Sequence, residues 1–423
     1  MRLIHTSDWH LGKGLYGYSR ARDHQKAIES LLVEARDYRP DLILHTGDLF
    51  DTFSPPVAVM EMATEYLQRL AEVAPVAVVR GNHDSPRLFR FLERALGGDR
   101  NGQGYPGLRF FDEVRQASEG GIQHYPVSST RREQRIRLFP LPFVNAFRKS
   151  EKPERFFEEA RQGAEEGWLS EYERRVNDAC RLIDEELVDE SLGYKPGVDM
   201  PIYAAHLMVE GSKVSGSERA AHTTGDYVTD PGHSPSNALY SAFGHVHRPQ
   251  KIAGYYNTQY AGSTIEMDFG EAGEQKGAVF VEKDGNGPVS AEFKPLDSGE
   301  PLVKLEGSLE KLSRLAREGE GSAGYIWATV HTEKPTRDLA ARVAAIFPEA
   351  RVVKVAEECE ARKLRVLSSD KDNERASGED GHADTLQTLF AEYLKEVGVR
   401  KGSGVSAAEV REAFEKSAAE DIV

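Results

Sequence analysis

Cysteine is nearly absent. Cys180 and Cys359 are the only two in 423 residues, and neither belongs to a CxxC or Cys/His cluster. A disulfide framework and a structural zinc site are therefore not expected, which favours a reducing compartment. Long apolar runs are missing too. Nothing reaches the roughly 18 apolar residues of a membrane span. The apolar start, Leu3-Ile4, gives way to Asp8 too soon for a signal peptide. No membrane association is expected, and the cytoplasm is the simplest address. Positive charge is also short: 54 Lys and Arg face 69 Asp and Glu, a formal net charge of −15. A protein that grips nucleic acid with its own surface alone is normally basic, because phosphate contacts come from Lys and Arg. The acidity argues against a free-standing, non-specific DNA binder. It leaves room for an enzyme on phosphate esters, where bound divalent cations supply positive charge.

What is present reads first as alternating strands and helices. Residues 2–7 and 41–46 have the composition of buried strands, as do residues 76–79. Between them, residues 23–36 and 57–73 carry apolar side chains at helical spacing, so an α/β architecture with parallel neighbours is expected. Residues 97–148 look like strands joined by loops, with Arg131, Arg132, Arg135 and Arg137 forming a basic cluster that reads as a solvated edge, with DNA contact as the alternative. A charged, Pro-free helical insertion is expected over 152–190. Strand signals return at 202–205, 239–243, 278–282 and 290–294, and the regions flanking the insertion read as one sheet-based domain ending near residue 298. Residues 299–366 alternate strand and helix, enough for a small α+β domain. The polar stretch 367–383 reads as a flexible linker. Beyond it, 384–423 reads as a helix pair, with a stripe at Leu386, Leu389, Phe390, Leu394 and Val397, and a capping box from Ser406 to Glu409.

Five short motifs follow apolar strands: Asp8 and His10 in SDWH, Asp48 and Asp51 in GDLFD, Asn82 and His83 in GNHD, the lone His206, and His245 and His247 in GHVH. In open α/β sheets the carboxyl ends of strands are where ligands bind. Carboxylate, imidazole and amide oxygen without thiolate suit Mn²⁺, Fe²⁺ or Zn²⁺. Asp48, with two oxygens, can bridge two cations of the kind that clamp a phosphoryl group about 3.5–4 Å apart. Taken singly, each motif has an ordinary explanation. GD after a strand is often a turn with Asp capping the next helix, Asn and Asp are turn formers, and a lone histidine is more often a satisfied core or surface residue. Five in order, each after a strand, argue for a dinuclear site. The remaining histidines, among them His5 and His45 inside strands, are read as structural.

The set resembles the calcineurin-like metallophosphoesterase superfamily, whose pattern is DxH, GDxxD, GNHD/E, a lone His and GHxH. The stretches SDWHLGK, HTGDLFDTFSPP, AHLMVEGSKVSGSER, FGHVHRPQ and YAGSTIEMDFGE followed by QKG are further similar to the SbcD family of DNA-end nucleases. Thr264 stands where that family often has proline. The likeness is strong over about residues 1–300, while the rest matches only in domain order. It implies a two-sheet sandwich flanked by helices, a small α+β capping domain that presents DNA, and a C-terminal helix pair that binds the SbcC ATPase. It implies that Asp8, His10, Asp48 and His247 hold one Mn²⁺, and that Asp48, Asn82, His206 and His245 hold a second. His83 would face the phosphate, with Asp51 orienting it. The implied activity is ATP-coupled 3′–5′ exonuclease on duplex DNA and endonuclease on single strands and hairpins, in end processing, repair and recombination. The resemblance also implies a heterotetramer or similar assembly with SbcC, and family members are usually dimers. A phosphoprotein phosphatase or small-molecule phosphodiesterase uses the same scaffold, and a non-catalytic structural subunit is the third alternative.

Overall fold

The computed structural model describes residues 1–361 apart from 98–106, 116, 118–119, 129–133, 145–167, 219–227, 230–234, 256 and 286. The expected linker 367–383 and helix pair 384–423 lie outside the described residues, as does the start of the insertion.

Two six-stranded sheets dominate. In the first, the spatial order is Val289–Pro295, Gly277–Lys283, Arg2–Thr6, Leu42–His45, Val76–Val79 and Leu108–Phe111. In the second it is Gln250–Lys251, Thr258–Tyr260, Tyr240–Gly244, Asp199–His206, Arg135–Leu141 and Gln123–Pro126. Side-chain alternation explains how the layers stack. Leu3, Leu42, Leu44, Ala77 and Val79 point to one face and meet Ile136, Leu138, Ile202, Ala204 and Ala242 of the other sheet. Ile4, Ile43, Val76 and Val78 point the opposite way, against helices α1 (Ala21–Tyr38), α2 (Val57–Ala71) and α3 (Pro86–Leu96). The outer face of the second sheet, through Phe139, Leu141, Tyr203 and Ala205, is covered by Val176, Cys180, Ile183 and Leu187 of α4 (Trp168–Leu187). The result is the helix-flanked α/β sandwich that the sequence implied. Each fully buried Leu or Ile in these layers contributes about 1.5–3 kcal/mol.

Parallel pairing aligns the motif-bearing ends. Arg2–Thr6 runs parallel to Leu42–His45, which runs parallel to Val76–Val79. In the second sheet Asp199–His206 runs parallel to Tyr240–Gly244. All five motifs thus leave the sandwich at carboxyl ends of parallel strands.

The basic cluster departs from its sequence reading as a solvated edge. Arg137 is fully buried and donates to the carbonyl oxygens of Glu186, Leu187 and Leu192, closing the last turn of α4. Arg135 pairs with Asp199. Arg131 and Arg132 lie outside the described residues.

A third sheet, ordered Leu302–Gly307, Tyr325–Thr332 and Arg351–Cys359, packs Leu305, Ile326, Ala328 and Val330 on Leu312 of α5 (Leu309–Arg317) and on Leu339 and Val343 of α6 (Leu339–Ile346). Among the described residues, packing divides the chain into two units, Met1–Val330 with Asp338–Ala356, and His331–Arg337 with residues 357–361. In the second unit Glu357 accepts hydrogen bonds from Thr332 Oγ1 and Thr336 N.

Candidate metal centre

The motif loops converge because the backbone makes turns that side chains ordinarily resist. Asp8, His10, Asp48 and His245 all have positive φ, at 49°, 45°, 54° and 101°. Such conformations cost about 1–3 kcal/mol each in a non-glycine residue and cluster at functional sites. The glycines of GDLFD and GNHD serve close approach. A Cβ on Gly47 would strike the His206 ring, and one on Gly81 would strike Asp48.

All seven expected ligand residues are buried and come together. His10 Nε2 faces His247 Nε2 at 3.1 Å. Asp48 Oδ2 lies 3.5 Å from both His10 Nε2 and His206 Nε2. Asn82 Oδ1 lies 2.7 Å from His206 Nε2 and 3.0 Å from His245 Nδ1. Ligand atoms of Asp8, His10 and His247, of Asp8, Asp48 and His206, and of His10, Asp48 and His83 each fall within 4.8 Å of one another. Two facing imidazole nitrogens share at most one proton, and Asp8 and Asp48 are met by imidazoles and backbone N–H groups. Isolated buried carboxylates cost about several kcal/mol each. This donor set, oxygen and imidazole nitrogen converging on one buried point, fits divalent cations.

Electrostatics inside the cluster follow from that crowding. Burial pushes the Asp8 carboxyl up to about 6, against the opposing pull of His206 and His247. Burial works the same way on Asp48, but His206, His83 and His10 outweigh it and hold this carboxylate well below its ordinary range. His206 answers in the opposite sense: burial lowers it, while Asp48 raises it to about 9.

His83 stands beside these groups, its Nε2 4.0 Å from Asp48 Oδ2 and its backbone N–H donating to Asp48 Oδ1 at 2.7 Å. The contact between His83 and Asp51 does not run through the Asp51 carboxylate. His83 Nδ1 meets the Asp51 backbone carbonyl oxygen at 2.7 Å. The Asp51 carboxylate turns instead to His10 Nδ1 at 3.5 Å and Lys13 Nζ at 3.4 Å.

The roles of four supporting residues went unread in the sequence. Asp84 accepts hydrogen bonds from the backbone N–H groups of Gly81, Leu49 and Phe50, tying the GDLFD and GNHD loops together. Burial and the nearby Asp48 charge push its carboxyl up to about 7. Glu218 Oε1 accepts from the His247 backbone N–H. Glu271 Oε1 lies 3.1 Å from His247 Nδ1, so Nε2 is the nitrogen left for the cluster. Lys276, fully buried, pairs with Glu271 at 2.6 Å and donates to the His247 carbonyl oxygen. Burial would raise the Glu271 carboxyl, but His247 and Lys276 hold it far below the ordinary range. A carboxylate behind an imidazole ligand fixes its tautomer and raises its basicity. Glu271→Gln is therefore expected to weaken divalent-metal binding by about 10–100-fold, read by calorimetric titration; unchanged affinity would remove Glu271 from the account.

Comparison with known proteins places these residues in a family context. The calcineurin-like phosphoesterase family model matches residues 1–249. The SbcD component of nuclease SbcCD from Bacillus subtilis (strain 168) is 29% identical over 312 residues, covering 72% of this chain and 72% of that protein. Its counterpart from Escherichia coli (strain K12), again the SbcD component of nuclease SbcCD, is 27% identical over 347 residues, 79% of this chain and 76% of that protein. The corresponding component from Rhodobacter capsulatus is 26% identical over 362 residues, 82% and 84% respectively.

Proposed function

Because the chain belongs to the calcineurin-like phosphoesterase family, we propose that this metal-dependent phosphodiesterase is the nuclease subunit of an SbcCD-type complex. The observation that carries the reading is the convergence of Asp8, His10, Asp48, Asn82, His206, His245 and His247 on one buried point, in a chain similar over most of its length to named SbcCD nuclease components. Asp8, His10, Asp48 and His247 would hold one Mn²⁺, and Asp48, Asn82, His206 and His245 would hold the other; when bound, the pair would supply Lewis-acid charge and activate water near neutral pH. The chain's own groups do the rest. Asp48 keeps both sites in register, and Glu271 fixes the His247 tautomer. His83, with Nδ1–H donating to the Asp51 carbonyl oxygen, presents Nε2 to the phosphate. There it would stabilise the developing charge or donate a proton toward the leaving oxygen.

The substrate is a DNA phosphodiester, cleaved as a 3′–5′ exonuclease on duplex ends and as an endonuclease on single strands and hairpins, coupled to ATP through SbcC. Residues 299–366 present the DNA, 367–383 tether, and 384–423 dock on SbcC, with a dimer of this chain in a cytoplasmic heterotetramer. The deciding comparison is Mn²⁺-dependent turnover of linear duplex DNA, a phosphomonoester and a cyclic nucleotide. DNA is expected to be cut and the phosphomonoester spared; preference for the phosphomonoester would make the chain a phosphatase. Deleting 384–423 is expected to abolish co-purification with SbcC while sparing Mn²⁺-dependent cleavage. Retained co-purification would refute the docking role.

A further inference from the structure

The hairpin Gly14–Leu15/Tyr18–Ser19 leaves the metal loop directly after His10 and holds two tyrosines in solvent, Tyr16 at 51% and Tyr18 at 43% exposure. Exposed tyrosines on a two-residue-strand hairpin need a reason, the more so because Tyr16 sits at φ 48°. Their neighbours supply one. Tyr16 lies 6.0 Å from Phe269, and Phe269 stands edge-on to Trp327 at 5.6 Å. Tyr18 lies 6.3 Å from Tyr325. Beneath the hairpin, Leu15, Phe269, Leu302 and Tyr325 form a small buried cluster that fixes its base.

Cations are threaded between these rings. Lys354 Nζ lies 3.7 Å from the centre of the Trp327 ring and 5.7 Å from that of Tyr16. Lys304, the register partner of Trp327 on the adjacent strand, brings its Nζ within 5.8 Å of the same ring. Arg351 lies 5.2 Å over Tyr325. Among the described residues no carboxylate is paired with Lys304, Arg351 or Lys354. Two ammonium groups over one indole repel each other, and an anion beside them relieves that repulsion. In a chain of net charge −15, such a concentration of cations around a half-buried Trp327 and the exposed Tyr16 and Tyr18 is a local exception.

From this arrangement we infer that Tyr16, Tyr18 and Trp327, with Lys304, Arg351 and Lys354, form a binding platform for single-stranded DNA. Rings stack on bases of any sequence, while the cations follow the phosphates. Tyr16 lies six residues past His10, at most about 20 Å of extended chain, so a strand of a few nucleotides reaches from the platform to the metal loops. A duplex, with its bases already stacked internally, gains only the phosphate contacts. The platform therefore favours a frayed or unpaired end over an intact one. The inference rests on the nuclease reading and gives it a substrate-selecting surface.

The test uses the full chain without divalent metal, so that the probe stays intact, and a short fluorescent oligothymidylate read by anisotropy. Tyr16→Ala with Tyr18→Ala is expected to weaken single-strand binding by about 10–100-fold, with a smaller effect on a blunt duplex. Tyr16→Phe with Tyr18→Phe is expected to bind as the parent does. Lys304→Gln and Lys354→Gln are each expected to reduce the salt dependence of log K by about 0.7. Hydrolysis of bis(p-nitrophenyl) phosphate with Mn²⁺ is expected to be unchanged in the tyrosine variants, which reads the metal centre separately. Unchanged single-strand affinity in the double alanine variant overturns the platform, as does competition by polyglutamate equal to that of the oligonucleotide. A parent protein that hydrolyses the small diester but cuts no DNA overturns the nuclease reading instead.

Discussion

Asp48→Asn is expected to remove metal-dependent cleavage and to leave the protein binding fewer than two divalent ions. The substitution is nearly isosteric, and the amide oxygen can still accept the His83 backbone N–H that Asp48 Oδ1 accepts at 2.7 Å. The GNHD loop therefore keeps its anchor, and a backbone donor that would cost about 1–3 kcal/mol if left unpaired stays satisfied. What disappears is the negative charge and one oxygen acceptor between His10 and His206, each 3.5 Å from Oδ2. A residue serving both cations cannot be neutralised without weakening both. Loss of an outer partner alone costs about 10–100-fold in metal affinity, and a shared ligand is expected to cost more. Metal content by mass spectrometry, beside circular dichroism to confirm folding, is the check. Two ions retained at parental affinity would show that Asp48 is not shared.

His83→Ala should separate binding from chemistry. Its ring is engaged by the Asp51 carbonyl through Nδ1, and its Nε2 stands 4.0 Å from Asp48, farther than the 3.5 Å of the His10 and His206 Nε2 atoms. In the proposed mechanism this group acts on the phosphate, and removing such an acid or donor is expected to lower turnover by about 10²–10⁴-fold. Metal stoichiometry is expected to remain at two. If the variant loses an ion in the same calorimetric titration, His83 is a ligand and the role assigned to it is wrong.

Much of this site was legible in the letters because strand ends are legible. Leu42–His45 and Val76–Val79 are short runs of buried-type residues, and each is followed by a turn former and then by a metal-binding type. Once the strands are parallel, the motifs have no choice but to share an edge. The supporting carboxylates were invisible for the opposite reason. Glu271 and Glu218 stand 24 and 29 residues from His247 in sequence, in polar, Gly-rich stretches where a glutamate is ordinarily solvated. Only the return of those loops over the GHVH turn buries them. Arg137 failed similarly: beside Arg131, Arg132 and Arg135 it reads as a surface patch, yet the carbonyl groups it satisfies come from α4, about fifty residues on. The helix Pro86–Leu96 did carry a signal, Ser85 capping and Pro86 in its first turn, which the turn chemistry of GNHD masked. Asp51 shows a finer limit. Motif spacing brings Asp51 beside His83 but does not say whether its carboxylate or its carbonyl does the holding.

The central claim is a pair of cations joined through Asp48. A crystal grown with Mn²⁺ and measured at the manganese edge tests it most directly. The account predicts two anomalous peaks about 3.5–4 Å apart, one beside His10 and His247, the other beside Asn82, His206 and His245, with an Asp48 oxygen between them. A single peak, or two that Asp48 does not touch, would contradict it.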